Sequence, residues 1–181
     1  MLIKFKPSFS IFILCLFGVF NLSAQEAYDK YYNSVITADF LSDENLKNRI
    51  DLLNFDMHFL NAAVFHLTNV ERSHADLPLF GFYDNLYKSA GLHSESMIKY
   101  DYFDHLNRIK KKWRTPKERI FHFDDSYRSI AENILENNLL EYEGEILKYR
   151  TVKNSDGSLL YLDLNGNEIK YGSYFYIAKR L

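Results

Sequence analysis

The residues able to do chemistry are few and dispersed. Six histidines stand at His58, His66, His74, His93, His105 and His122, with one cysteine at Cys15. No His-Glu-x-x-His pair or other helical His-x-x-x-His spacing occurs, which excludes the zinc-protease arrangement of two imidazoles on one helix face. A nucleophile elbow, a P-loop and the glycine pattern of dinucleotide sites are also missing from the sequence. Ser94 follows His93 directly, and adjacent residues of a helix do not face one another, which argues against a Ser-His pair. His58, His66 and His93 therefore read as packing and hydrogen-bonding residues, and His74 and His122 as exposed ones. No residue is assigned a catalytic role.

A second chemistry is electrostatic. Arg108, Lys110, Lys111, Lys112, Arg114, Lys117 and Arg119 form a basic run broken by Glu118, with Trp113, the only tryptophan, inside it. Such a run is a solvated loop or a contact for anionic cell-surface polymers or lipid headgroups, attracted by charge and weakened by salt. The formal net charge of the whole chain is −2. No global field recruits nucleic acid.

These residues must be placed by the rest of the chain. Lys4 and Lys6, the apolar run from Ile11 to Phe20 and the small residues up to Ala24 have the three-part layout of a secretory signal, with cleavage predicted after Ala24. The apolar run is about ten residues, short of the roughly 20 of a membrane-spanning helix. Cys15 follows Phe12, Ile13 and Leu14, where a lipidated cysteine wants a small neighbour. Cleavage leaves a chain without cysteine, held together by a hydrophobic core and not by disulfides. The predicted organisation is a signal peptide over 1–24, an arm over 25–50 and one domain over 51–181.

Within the arm, Glu26 to Arg49 reads as a lead-in helix or an extended segment. From Phe55 to Arg72 apolar residues return at three- and four-residue steps, predicting a helix with one buried stripe that ends near Ser73 to Asp76. A second helix is predicted from Tyr83 to Asp101, weakened by Gly91 by about 1 kcal/mol relative to alanine. The basic run with Pro116 reads as a loop, Ile120 to Phe123 as a short strand, and Ser129 to Asn137 as a short helix or turn. After a polar loop at Lys153 to Ser158, two runs flank Asn165-Gly166, a pair that tolerates positive φ and predicts a β-hairpin. Ser173 is placed to cap a helix starting at Tyr174. The fold class is α+β.

Several segments, read in order, resemble a known family. Ala62 to Arg72 carries Thr68, Asn69 and Arg72 in a T-N-x-x-R pattern, Leu77-Pro78-Leu79 follows, and Ala90 to Met97 carries His93, Ser94 and Met97 in an H-S-x-x-M pattern. Phe103-Asp104-His105 is similar to an F-S-H segment with aspartate for serine, and Ala131-Glu132-Asn133-Ile134 to a G-E-N segment with alanine for glycine. Their order and spacing over about 51–181 resemble the CAP superfamily of SCP-like domains in a bacterial secreted form. The resemblance implies an incomplete α-β-α sandwich with two N-terminal helices and a C-terminal β-hairpin. It also implies a cleft where two histidines and two glutamates can hold a divalent metal. His105 and Glu132 match the first histidine and first glutamate. Their counterparts would fall beyond Leu181, so the implied site is a half-site with weak affinity for zinc or magnesium, since zinc sites use three or four protein ligands.

The resemblance brings a fold and a cleft without an agreed reaction. The expectation is therefore an exported binding or interaction module, secreted or periplasmic, without catalysis of its own. Lipid, sterol and anionic cell-surface polymer are the expected ligand classes, with no nucleic acid, and a protein partner would complete an open sheet. The alternatives are a truncated relative with no independent function and a metal-dependent hydrolase completed by missing residues or by a partner.

Overall fold

The computed structural model describes residues 11–12, 29–33, 36–123, 129–142, 148–155 and 157–181. Lys4, Lys6, Cys15 and the cleavage position predicted after Ala24 lie outside the described residues. Of the apolar run only β1 (Ile11–Phe12) is described, paired antiparallel with Glu136–Asn137. Among the described residues no helix is long and apolar enough to cross a membrane.

Next come a π turn (Asp29–Asn33), α1 (Thr37–Leu41) and a 3-10 turn (Glu44–Lys47). The central element is α2 (Met57–His74). Its first turn is capped by Asp56, whose carboxylate accepts from the Phe59 N–H at 2.9 Å. It stops where Asp76 takes a positive φ of 55° and Leu77 N–H donates back to the Arg72 carbonyl at 2.8 Å, a left-handed helix ending. Phe59, Ala62, Ala63, His66 and Asn69 lie buried on one face, as a 3.6-residue repeat requires.

That face is covered from two sides. α1 contributes Phe40, and α5 (Tyr174–Arg180) contributes Tyr174, Ile177 and Ala178. Ser173 caps α5 through the Tyr176 N–H at 3.1 Å. Tyr32, Phe40, Leu46 and Ile50, from the stretch read as an arm, are thus part of the core. Tyr32 stacks on Phe82 with ring centres 4.0 Å apart, and Phe40 stacks on His66 at 4.3 Å. Leu46 and Leu60 are sealed from solvent, each contributing about 1.5–3 kcal/mol by burial.

Strand structure is small and lies beside this core. β3 (Arg150–Lys153) and β4 (Leu159–Leu162) are antiparallel, with Arg150 opposite Leu162 and Lys153 opposite Leu159. Separately, the Gly172 carbonyl accepts from Ile50 N–H at 2.9 Å and Gly172 N–H donates to Leu139 at 2.8 Å. The Tyr176 and Ile177 side chains crowd position 172, where a Cβ would lie 2.6 Å from the Tyr176 ring. The chain is α+β.

α2 and α3 (Asp84–Lys99) match the two predicted N-terminal helices, with Gly91 buried on α3. Three local expectations are corrected. Ile120 to Phe123 is not a strand, because α4 (Pro116–Phe121) runs through it. The basic run is not a featureless loop: it forms a 3-10 turn (Lys111–Trp113) and then α4. Thr115 and Glu118 build a reciprocal capping box there, with Thr115 N–H donating to Glu118 at 2.7 Å and Glu118 N–H to Thr115 at 3.2 Å. Residues 129–135 are neither helix nor turn, and they lead into β2 (Glu136–Asn137).

The hairpin at Asn165-Gly166 forms, through Asp163 N–H to Asn167 at 2.8 Å and Ile169 N–H to Tyr161 at 2.8 Å. Only Gly166 takes a positive φ, of 89°. The turn is set by the Asp163 carboxylate, which accepts from the N–H groups of Asn165 and Asn167 at 2.8 Å each. Beyond the turn the pairing is a single bridge, Leu162 to Glu168. The regular ladder lies instead between Arg150–Lys153 and Leu159–Leu162.

Candidate functional site

α3 delivers the first component of the site. His93 is 1% exposed, and its Nε2 lies 2.7 Å from the Asp104 carbonyl. A carbonyl only accepts, so Nε2 carries the proton and Nδ1 is the bare nitrogen. Nδ1 has no partner among the described residues. Burial, and then the charge of Arg119, hold the His93 pKa below the ordinary histidine value.

The segment after α3 folds back over this histidine. Asp101 takes a positive φ of 52°, and Tyr102 OH donates to Ser96 Oγ at 2.9 Å. Asp104, standing where the resemblance leads one to expect serine, is held by the chain: Leu106 N–H donates to one oxygen at 3.0 Å, and Arg108 Nε and Nη2 to the other at 2.9 and 2.7 Å. These bonds, the backbone one first, lower its pKa.

The turn at Asp104 presents His105 to Glu132. His105 Nδ1 lies 2.9 Å from Glu132 Oε2, and the other carboxylate oxygen accepts from Arg119 Nη2 at 2.5 Å. Glu132 is bridged between a half-exposed imidazole and a guanidinium with no exposed surface. Arg119 reaches further, with Nη2 to the His105 carbonyl at 3.1 Å and Nη1 to the carbonyls of Arg114 and Trp113 at 3.0 and 3.3 Å. It ties together two separate stretches of backbone and the Glu132 carboxylate.

Since a carboxylate accepts, His105 Nδ1 carries the proton shared with Glu132, and Nε2 is the nitrogen this bond leaves unengaged. An imidazole fixed by a carboxylate is an oriented proton acceptor or ligand. A metal fits less well. Both Glu132 oxygens are engaged within the protein, and among the described residues no group of three or more His, Cys, Asp or Glu is placed to hold an ion. His105 and Glu132 meet as a hydrogen-bonded pair, and the donor set does not fit a divalent cation.

The other histidines do not join the site. His66 Nε2 faces the Tyr31 carbonyl at 2.8 Å and Nδ1 faces Thr37 Oγ1 at 3.0 Å, inside the aromatic core. His58 Nδ1 lies 2.9 Å from Tyr87 OH. His74 and His122 are exposed. In the T-N-x-x-R segment, Asn69 clasps the backbone of Phe80 in both directions, at 2.8 and 3.0 Å. Arg72 donates to the Pro78 carbonyl at 2.7 Å and covers the Phe80 ring at 3.7 Å. Those residues staple the connection between α2 and α3.

Arg119 is the residue that sequence reasoning missed. In a basic run it looks like Arg114 or Lys117, and only the Thr115-Pro116-x-Glu118 helix start, which fixes Arg119 on the first turns of α4, marks it out. A cleft of about 870 Å³ lies elsewhere, between the hairpin and α5, and is lined by Arg49, Glu141, Lys148, Asp163 and Tyr176 among others. It includes none of His93, His105, Arg119 and Glu132. Geometry and polar convergence, not volume, mark the candidate site. Compared with family models, with curated proteins and with solved structures, the chain finds no significant match in any of the three.

Proposed function

We propose that this chain is an exported binding or interaction module of the CAP type, released behind a leader cut after Ala24 and working outside the cytoplasm without catalysis of its own. The finer architecture in this reading is an α-β-α sandwich built on α2, α3 and the C-terminal strands. The observation that carries it is the meeting of His93, the Asp104–His105 turn and Glu132, which come from three separate motif segments, within one hydrogen-bonded group. That convergence supports the resemblance more than any one motif does.

The same geometry weighs against a hydrolase. Glu132 would have to activate water or bind an ion, and Arg119 and His105 already take both of its oxygens. The test is turnover of peptide and ester substrates by the purified chain beside a Glu132→Ala variant. The expected result is no turnover above background in either. Hydrolysis by the parent chain that disappears in the variant would replace the binding reading with an enzymatic one. N-terminal sequencing of the chain recovered outside the cytoplasm of an expressing bacterium is expected to begin at Gln25, and an uncut, retained chain would refute export.

A further inference from the structure

The basic run has a built shape. Asn107 is buried, its N–H donates to the Arg114 carbonyl at 2.7 Å, and its side-chain oxygen accepts from the N–H groups of Ile109 and Lys110 at 2.9 and 2.8 Å. Arg119 draws the Trp113 and Arg114 carbonyls inward. With those acceptors turned in, the side chains of Lys110, Lys111, Lys112, Arg114 and Lys117 stand outward and exposed. Among the described residues none of these five makes an ion pair.

Arg108, Lys111 and Arg114 surround a depression of about 400 Å³ together with Leu106, Asn107 and Asp104. Its only carboxylate, Asp104, is already neutralised by Arg108. Beside the cations, Leu106 is 36% and Ile109 48% exposed. A soluble polyanion would satisfy the charges and leave these apolar side chains in water. An anionic bilayer would take the cations at headgroup level and cover the apolar ones at the acyl boundary.

We propose that the 106–114 loop is a docking surface for anionic phospholipid bilayers, with a headgroup phosphate received between Lys111 and Arg114 and with Leu106 and Ile109 entering the interface. This goes beyond the binding-module reading and does not rest on it, since the loop shares no ligand-facing atom with the His105–Glu132 pair.

Trp113 is the only tryptophan and sits inside the loop, so its fluorescence reports on this surface apart from the apolar leader. The experiment uses the full chain with vesicles whose acyl chains carry bromine, a quencher of nearby indole. Quenching is expected on phosphatidylglycerol-containing vesicles and not on phosphatidylcholine alone, and it is expected to fade as salt rises. A Lys111→Ala, Arg114→Ala double variant, altered only at exposed positions, is expected to bind about thirty-fold more weakly. Ile109→Ser is expected to weaken vesicle binding several-fold while leaving binding to soluble polyphosphate unchanged. No quenching on anionic vesicles overturns the proposal. It is also overturned if Ile109→Ser binds vesicles like the parent chain, which would mark a site for soluble polyanions.

Discussion

The α1–α2–α5 core and the α3–α4 region are held together by opposite means. In the first, Phe40, Leu46, Phe59, Leu60, Tyr174 and Ile177 exclude water by area, and rings meet at many angles. In the second, Met97 and Ile120 are buried beside the polar His93, Ser96, Asn107 and Arg119, and much of the order comes from directed bonds to backbone carbonyls and one carboxylate. Contacts in the core are many and individually small. The polar region depends on a few bonds, each costly to break because its partners are left desolvated. Two parts of one chain should therefore fail differently.

The sharpest way to break the comparison is at Arg119. Replacing it with methionine removes a donor from the His105, Trp113 and Arg114 carbonyls and from Glu132, although Arg114 keeps the Asn107 N–H and Glu132 keeps His105. A loss of about 3–5 kcal/mol is expected, read as a drop in the urea midpoint. Lysine should not rescue it, because one ammonium cannot spread donors over four acceptors as a planar guanidinium does. A methionine variant as stable as the parent would show that the polar region, too, is held by packing.

In the core the corresponding change is Leu60→Ala, at a position with no exposed surface. The expected loss is about 2–5 kcal/mol, and it should leave the His105–Glu132 bond in place, seen as an unchanged ¹⁵N signature of the His105 ring. A shifted His105 signal would mean that the two regions unfold or rearrange together.

The smallest effect is set by pH. Burial lowers the His66 pKa in the core, and burial and then Arg119 lower that of His93 in the polar region. The unfolded chain, with histidines near 6.5 by ordinary reference, then binds more protons than the folded one in the window just below that value. Stability from both rings is complete above about pH 6.5 and declines as pH falls toward the folded pKa values. Urea midpoints should fall between pH 7.5 and about 5, well above the range where the lowered carboxylates Asp104 and Asp163 begin to protonate. A flat profile would show that neither ring resists protonation in the fold. In the core His66 is flanked by Tyr31 and Thr37, whereas His93 has Arg119, Glu132 and His105 around it, so salt should alter only the His93 part.

The sequence was readable where one rule dominates. The stripe of α2, the extent of α3 and the Ser173 cap of α5 follow from periodicity and capping alone. The Asn165-Gly166 reversal was also visible, although its conformation is set by the Asp163 carboxylate and not by positive φ at both residues. Legibility was poorest where charge hides burial. Thr115 and Glu118 spell a helix start, yet the surrounding lysines pointed to a solvated loop, and nothing local separates Arg119 from its exposed neighbours. The arm was obscured for a different reason, since Tyr32, Phe40 and Leu46 become core residues only when α2 is there to receive them. For the site, the meeting of His105 with Glu132 was expected, but the guanidinium that occupies the other carboxylate oxygen was not.

Seen as coordination chemistry, Arg119 fills the place of a structural ion. Three main-chain carbonyls and one carboxylate converge on a fixed positive charge, much as oxygen ligands gather around a hard cation. This cation is covalently part of the chain. It cannot be stripped by a chelator or exchanged for a competing metal, and its supply does not vary with the surroundings. The order of the 105–114 backbone is thereby made independent of ion availability.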